Sequence, residues 1–207
     1  MKDTIIYLIR HAETAEENGI RNTDEDSQII NEKEILSVYG EEQSKQLSKN
    51  EELKNIDVIW TSSYTRAKAT AKYIANNNNL CINIDSRLNE RKLGDLKELA
   101  EFMKNKNTRD PSQEQLLDRN FKTTGGESAE EINQRMTEFF DKIIKEYEGK
   151  KIVVVSHGGS IKFFLLNCCE VNEDVNLVYK NKVLDITSPC LLKMTFRDNE
   201  LINIEQL

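Results

Sequence analysis

Residues 4–11, TIIYLIRH, set six apolar or β-branched side chains in a row and end on an arginine and a histidine. A run this short, rich in branched residues and without polar alternation, is the pattern of a strand covered on both faces. Residues 151–159, KIVVVSHGG, repeat the arrangement far along the chain, and again a histidine follows the apolar run. Residues 57–60 (DVIW) and 80–84 (LCINI) have the same character. Four such segments predict a parallel sheet, because parallel strands are joined by crossover helices that bury both faces.

The intervening stretches carry helical periodicity. The clearest places Ile132, Met136, Phe139, Phe140, Ile143, Ile144 and Tyr147 on one face, with Ser128 and Glu131 in capping-box spacing before it and Gly149 as the stop. Further helices are expected over 34–48, 65–75 and 160–167. Alternating strands and helices define a layered α/β fold, here a three-layer α/β/α sandwich with a mostly parallel central sheet. KVLDI, CLLKMTF and LINIE read as shorter strands that add an antiparallel edge. A length of 207 residues fits one domain over 1–207. Within it, residues 104–126 are polar, weakly periodic and contain Pro111, so a cap or lid is expected there.

Lys and Arg total 29 against 36 Asp and Glu, a formal charge of −7, which argues against nucleic acid or an anionic membrane as partner. No apolar run reaches the roughly 20 residues that cross a bilayer. The opening MKDTIIYLIRH lacks a secretory cleavage pattern. A cytoplasmic location is expected. Cys81, Cys168, Cys169 and Cys190 show no CxxC spacing and read as reduced, structural thiols in apolar surroundings.

His11 and His157 are the only two histidines, and each follows a strand directly. In a parallel sheet the ligand crevice lies beyond the carboxyl ends of the strands, so both imidazoles are expected at that rim. Arg10 places a permanent charge at one of these strand ends, and Arg66 falls in the first turn of the helix after the DVIW strand. A cation there opposes the helix dipole, while free N–H groups favour an anion. Two arginines and two histidines on one rim suit a tetrahedral oxyanion, phosphate above all. Two histidines so far apart, without HxH or HExxH spacing, argue against a metallohydrolase.

LIRHAET resembles the L-[IV]-R-H-G-E-[ST] signature of the histidine phosphatase superfamily, the phosphoglycerate mutase-like proteins. ILSVYGEEQSKQL, IDVIWTSSYTRAKATAKYIA, RLNERKLGD, GGES and VVVSHGGSI resemble, in order, its LTxxGxxQAxxL helix, its SSxxxRAxxTA block, its LxExxxGD stretch, the residues before a long helix and the strand of the second histidine. The resemblance implies that His11 is the nucleophile that becomes phosphorylated, with Arg10, Arg66 and His157 forming the phosphate pocket and Glu90 the general acid. It implies neither cofactor nor metal. Glu90 would hold a proton at the start, because a phosphate dianion beside it disfavours a second negative charge. Thr14 and Arg21 are expected at the substrate, Thr14 through the loop it orients, whereas Glu13, Glu127 and Ser128 read as structural.

Some positions depart from the family pattern. Ala12 stands for the usual glycine, Glu17 for an asparagine, and DEDSQIINEKE forms a longer, more acidic connection than is common. The implied activity is hydrolysis of small phosphorylated metabolites. A bisphosphoglycerate-dependent mutase is the alternative, disfavoured because the chain stops at LINIEQL without the mutases' extended tail. An inactive phosphate-binding or interaction module is a third reading, opposed by the presence of every pocket residue. Arg109, Arg119 and Lys122 make the cap segment basic, which would suit a substrate with a carboxylate or second phosphate. The sequence is silent on oligomeric state.

Overall fold

β1 (Thr4–Arg10) lies inside a six-stranded sheet of order β3-β2-β4-β1-β8-β9. A computed structural model describes residues 2–15, 27–106 and 111–207 of the chain. β1 runs parallel to β4 (Lys151–Ser156), β4 to β2 (Val58–Thr61), and β2 to β3 (Ile82–Ile84). On its other side β1 pairs antiparallel with β8 (Leu191–Arg197), which in turn pairs antiparallel with β9 (Glu200–Gln206). The fold is therefore mixed α/β with a mostly parallel centre and an antiparallel edge, as the apolar runs predict. β8 and β9 are seven residues each, as long as β1 rather than shorter.

Alternation along the strands divides the core into two layers. Ile6 and Leu8 of β1, with Ile152 and Val154 of β4, join Met136, Phe139 and Phe140 of α6 (Ala129–Glu146) and Ile161 and Phe163 of α7 (Gly158–Leu165). Tyr7, Ile9, Val153 and Val155 face the other way, against Ala67, Ala71 and Ile74 of α3 (Thr65–Asn78). Each fully buried large side chain contributes about 1.5–3 kcal/mol. The capping box opens α6: the Ser128 hydroxyl accepts from the Glu131 amide while the Glu131 carboxylate accepts from the Ser128 amide.

Several boundaries differ from the sequence reading. α1 (Ser27–Lys33) forms inside the acidic connection, where no helix is expected. α2 (Val38–Leu47) starts four residues later than expected, because the Ser37 hydroxyl caps it by accepting from the Gly40 amide at 2.9 Å. α3 extends to Asn78, whose side chain donates to the carbonyls of Leu53 and Ile74. α4 (Leu96–Lys106) begins before the expected cap, and α5 (Pro111–Leu117) lies within it. Phe102 of α4 stacks on Phe121 at a centroid distance of 3.9 Å, which ties the ends of this region together. KVLDI does not reach the main sheet. Its Lys182–Val183 forms β7 of a small antiparallel sheet with β5 (Glu170–Val171) and β6 (Leu177–Tyr179). The β6-β7 hairpin turns through Lys180 and Asn181, both at positive φ, the twist that two-residue hairpins prefer.

Candidate active site

Register decides what meets at the rim. Arg10 pairs with Ser156 across β1 and β4, so the next residues, His11 and His157, leave adjacent strand ends together. The His11 amide donates to the Ser156 carbonyl at 3.0 Å, and the Ser62 amide, just past β2, donates to the Val155 carbonyl at 3.2 Å. The two imidazole rings meet edge-on at 5.1 Å between centroids.

The surroundings of His11 fix its proton. Its Nδ1 lies 2.8 Å from the Ala12 carbonyl, which can only accept, so Nδ1 carries the hydrogen. Its Nε2 receives the Arg66 Nε–H at 3.1 Å, and a guanidinium can only donate, so Nε2 keeps a lone pair. Burial, reinforced by the charge of Arg66, holds this imidazole well below the usual histidine range despite the opposing Ala12 bond. The ring is therefore neutral, with an acceptor nitrogen facing the pocket cation. Ala12, fully buried, is anchored by its amide to the Thr70 hydroxyl at 3.0 Å.

His157 is fully buried, and burial followed by the charge of Arg66 likewise keeps it well below the ordinary histidine pKa. Its Nε2 lies 2.7 Å from the Ser62 hydroxyl, which also accepts the Tyr64 amide at 3.2 Å. The buried Nδ1 of His157 has no hydrogen-bond partner among the described residues. Arg10 donates from one terminal nitrogen to the Ile186 carbonyl at 2.8 Å. It passes so close to Gly158 that a methyl there would lie 3.1 Å from its Nε.

Glu90 sits across the N-terminus of α7. Its Oε1 accepts from the Arg91 amide at 2.8 Å, the Ser160 amide at 3.1 Å and the Ser160 hydroxyl at 3.2 Å, and its Oε2 accepts from the Gly159 amide at 3.1 Å. A Cβ at position 159 would approach Oε1 to 2.7 Å, so a larger residue there would have to push the carboxylate off these amides. Burial alone would raise the Glu90 pKa, but the Arg91 charge and these amides outweigh it and hold the carboxyl below its ordinary value. The carboxyl is thus ionised at neutral pH.

A cavity of 260 Å³ opens beside Glu90, lined in part by Gln28, Tyr64, Arg87, Asn89, Lys92 and Arg135. A larger one of 610 Å³ lies between α2 and Pro189. None of Arg10, His11, Arg66, His157 and Glu90 lines it, whereas the smaller cavity has Glu90 in its wall, together with Glu32 and Glu127. Among the described residues no three His, Cys, Asp or Glu side chains converge to hold a metal ion, and no helix is long and apolar enough to cross a membrane.

The strand ends bring together Arg10, His11, Arg66, His157 and Glu90. Thr14 is buried and bridges Leu36 in backbone pairing, which shapes the loop after His11. Glu13 accepts the Ser37 hydroxyl at 2.6 Å, and Glu127 pairs with Arg135 at 3.0 Å. Arg21 and Arg109 lie outside the described residues. Two further cations of the cap segment do not line the cavity: Lys122 pairs with Glu131, and Arg119 donates to the Leu166 carbonyl at 3.4 Å. Ser62 and Thr70 were missed as functional candidates although both lie in the quoted TSSYTRAKATA block. Asn31, which touches Arg66, gave no signal.

The chain belongs to the histidine phosphatase superfamily, branch 1, whose sequence profile matches residues 6–201. It is 32% identical over 167 residues to a protein described as a probable phosphatase from Schizosaccharomyces pombe, a match that spans 76% of this chain and 54% of that protein. It is 30% identical to a probable phosphoglycerate mutase of Serratia proteamaculans, over 74% of this chain and 69% of that one. Its fold matches a mycobacterial glucosyl-3-phosphoglycerate phosphatase with a TM-score of 0.72 at 18% identity, covering 99% and 97% of the two chains. A phosphoglycerate mutase from Bacillus anthracis gives 0.70 at 21% identity, covering 100% and 93%.

Proposed function

We propose that the protein is a metal-independent phosphomonoester hydrolase of small phosphorylated metabolites that works through a phosphohistidine on His11. One observation carries this reading: His11 is neutral, with its hydrogen on Nδ1 and its Nε2 lone pair facing Arg66, the state a nitrogen nucleophile needs. Nε2 attacks phosphorus, the bond to the leaving oxygen breaks, and that oxygen takes a proton from Glu90. Water then attacks phosphorus, Glu90 takes its proton back, and the P–N bond breaks to restore neutral His11. Arg10, Arg66 and His157 hold the equatorial oxygens and stabilise their charge by position. If the Ser62 hydroxyl donates to His157 Nε2, the ring hydrogen sits on the unpartnered Nδ1, and a phosphoryl oxygen is the acceptor it lacks.

The rest of the substrate would fill the cavity beside Glu90. Two of its lining cations are already held, Arg87 by Asp85 at 2.6 Å and Arg135 by Glu127. Lys92, also in the lining, is the described cation we assign to contact with a second anionic group, a role expected from sequence for Arg109, Arg119 or Lys122. The similarity to a probable phosphoglycerate mutase supports a second reading, transfer of the phosphoryl group back to substrate rather than to water. Free phosphate and isomer formation measured in parallel over a panel of phosphorylated metabolites separate the two. His11→Ala should abolish turnover, and an acid-labile, base-stable label from substrate should appear on the wild type alone. Equal labelling of the variant would refute the assignment.

A further inference from the structure

The outer edge of Arg66 is not open to substrate. One terminal nitrogen donates to the Asn31 main-chain carbonyl, and the other donates to the Asn31 side-chain carbonyl at 2.8 Å. Glu34 adds its carboxylate at 3.4 Å. Two oxygens side by side on the two terminal nitrogens of a guanidinium are the pattern made by a carboxylate or a phosphate. The Arg66 side chain is 4% exposed and that of Glu34 13%, so this contact is shielded from water. The inner nitrogen of the same guanidinium meanwhile occupies the His11 lone pair. The nucleophile and the cation meant for its target thus hold each other, and α1 closes over the cation.

A second tether lies on the same helix. Gln28 donates to the Tyr64 hydroxyl at 2.9 Å. Tyr64 stands edge-on to His157 at 5.0 Å and beneath the Arg66 guanidinium at 5.1 Å. None of the described side chains of α1 is buried, and Ile29 is 42% exposed. The contacts described between this helix and the site are polar, and such contacts open at smaller cost than a packed core.

We propose that residues 27–34 form an internal strap in which Asn31 and Glu34 stand in for substrate oxygens on Arg66, and that the phosphoryl group must displace them to free His11. The proposal rests on the reading of Arg66 as a phosphate ligand. Exchange favours phosphate because its charged oxygens form bonds roughly twice as strong as those of a neutral amide. Glu34 opposes the exchange, since its charge repels the incoming dianion. The strap lowers apparent affinity by the fraction of molecules that are open and admits only ligands with enough charge to displace it.

The test combines Asn31→Ala with Glu34→Gln, changes outside both hydrophobic clusters, and Asn31→Asp as the opposite perturbation. Binding of inorganic phosphate is read by calorimetry, and hydrolysis of p-nitrophenyl phosphate separately. With the open form at about a tenth of wild-type molecules, the double variant should bind phosphate about ten-fold tighter and show a lower KM with kcat retained. Asn31→Asp should weaken phosphate binding and raise KM. Unchanged phosphate affinity in the double variant would overturn the strap. So would a fall in kcat at constant KM, which would make the two residues supports for Arg66. Phosphate binding needs no turnover, so a double variant that binds phosphate tighter than wild type, with neither protein hydrolysing any monoester, would sink the hydrolase reading and leave the strap standing.

Discussion

Glu90→Gln separates a proton donor from a helix cap, because the wild-type carboxylate is placed to be both. Four hydrogen bonds converge on it, three at Oε1 and one at Oε2. A glutamine has one acceptor atom and one donor group in the same places. It keeps most contacts with its oxygen at the Oε1 position, which turns its NH₂ toward the Gly159 amide and leaves that buried donor unmatched. An orphaned buried donor costs about 1–3 kcal/mol, so stability should fall by that much in urea denaturation. The catalytic effect should depend on the leaving group. An alkyl phosphate needs its departing oxygen protonated and should slow by about 10²–10⁴-fold, the usual worth of a general acid, whereas p-nitrophenyl phosphate should slow by less than about ten-fold. The assay is kcat/KM across a series of monoesters of rising leaving-group pKa, for wild type and variant. Equal slowing of alkyl and aryl esters, together with the stability loss, would refute the argument and leave Glu90 as the cap of α7.

Ser62→Ala should lower kcat/KM for p-nitrophenyl phosphate about ten-fold or more by freeing His157 to change tautomer, while Ser62→Thr restores much of it; an Ala variant as active as wild type would show that the 2.7 Å contact orients nothing. Stability should respond to pH through the two buried imidazoles. Both have folded pKa values below the unfolded value, so their contribution is whole above about pH 6.5 and is lost as pH falls from there toward the folded values, by up to about 1.4 kcal/mol per pH unit for each. Urea midpoints that stay constant between pH 7 and pH 5 would contradict the neutral-imidazole assignment. Hydrolysis should survive excess chelator, and a loss restored by added divalent metal would reverse the choice between histidine and metal chemistry.

The elements legible in the sequence are those whose residues respond only to their immediate surroundings. β1 and β4 read clearly because both faces are buried, so their central residues are apolar, and β1 ends where Arg10 and His11 reach the rim. α6 reads clearly because its stripe and capping box are local. α1 was not legible: its polar residues satisfy Arg66 and Tyr64, contacts whose partners lie more than thirty positions away. The ion pair of Lys122 with Glu131 was not legible either, since the helix start that brings Glu131 back to it lies nine residues on. Cys81 is exposed, contrary to its apolar neighbours, because β3 is an edge strand of the main sheet.

Charges buried at the strand ends must be satisfied by the chain itself, and the ways this chain does so explain features the family pattern leaves open. A guanidinium removed from water requires acceptors. Arg10 finds the Ile186 carbonyl, and Arg66 finds Asn31 and Glu34 from the lengthened acidic connection. Glu90 faces the converse problem and meets it with the Arg91 charge and the amides at the start of α7. Substrate binding therefore exchanges one satisfied set for another. On the proposed reading a phosphate dianion would replace neutral and acidic protein oxygens on Arg66, and its charge beside Glu90 would raise a carboxyl that the Arg91 charge and the amides lower. On the proposed reading Glu90 would take up the proton it gives to the leaving oxygen only as phosphate binds, which would tie the acid's readiness to occupancy of the pocket.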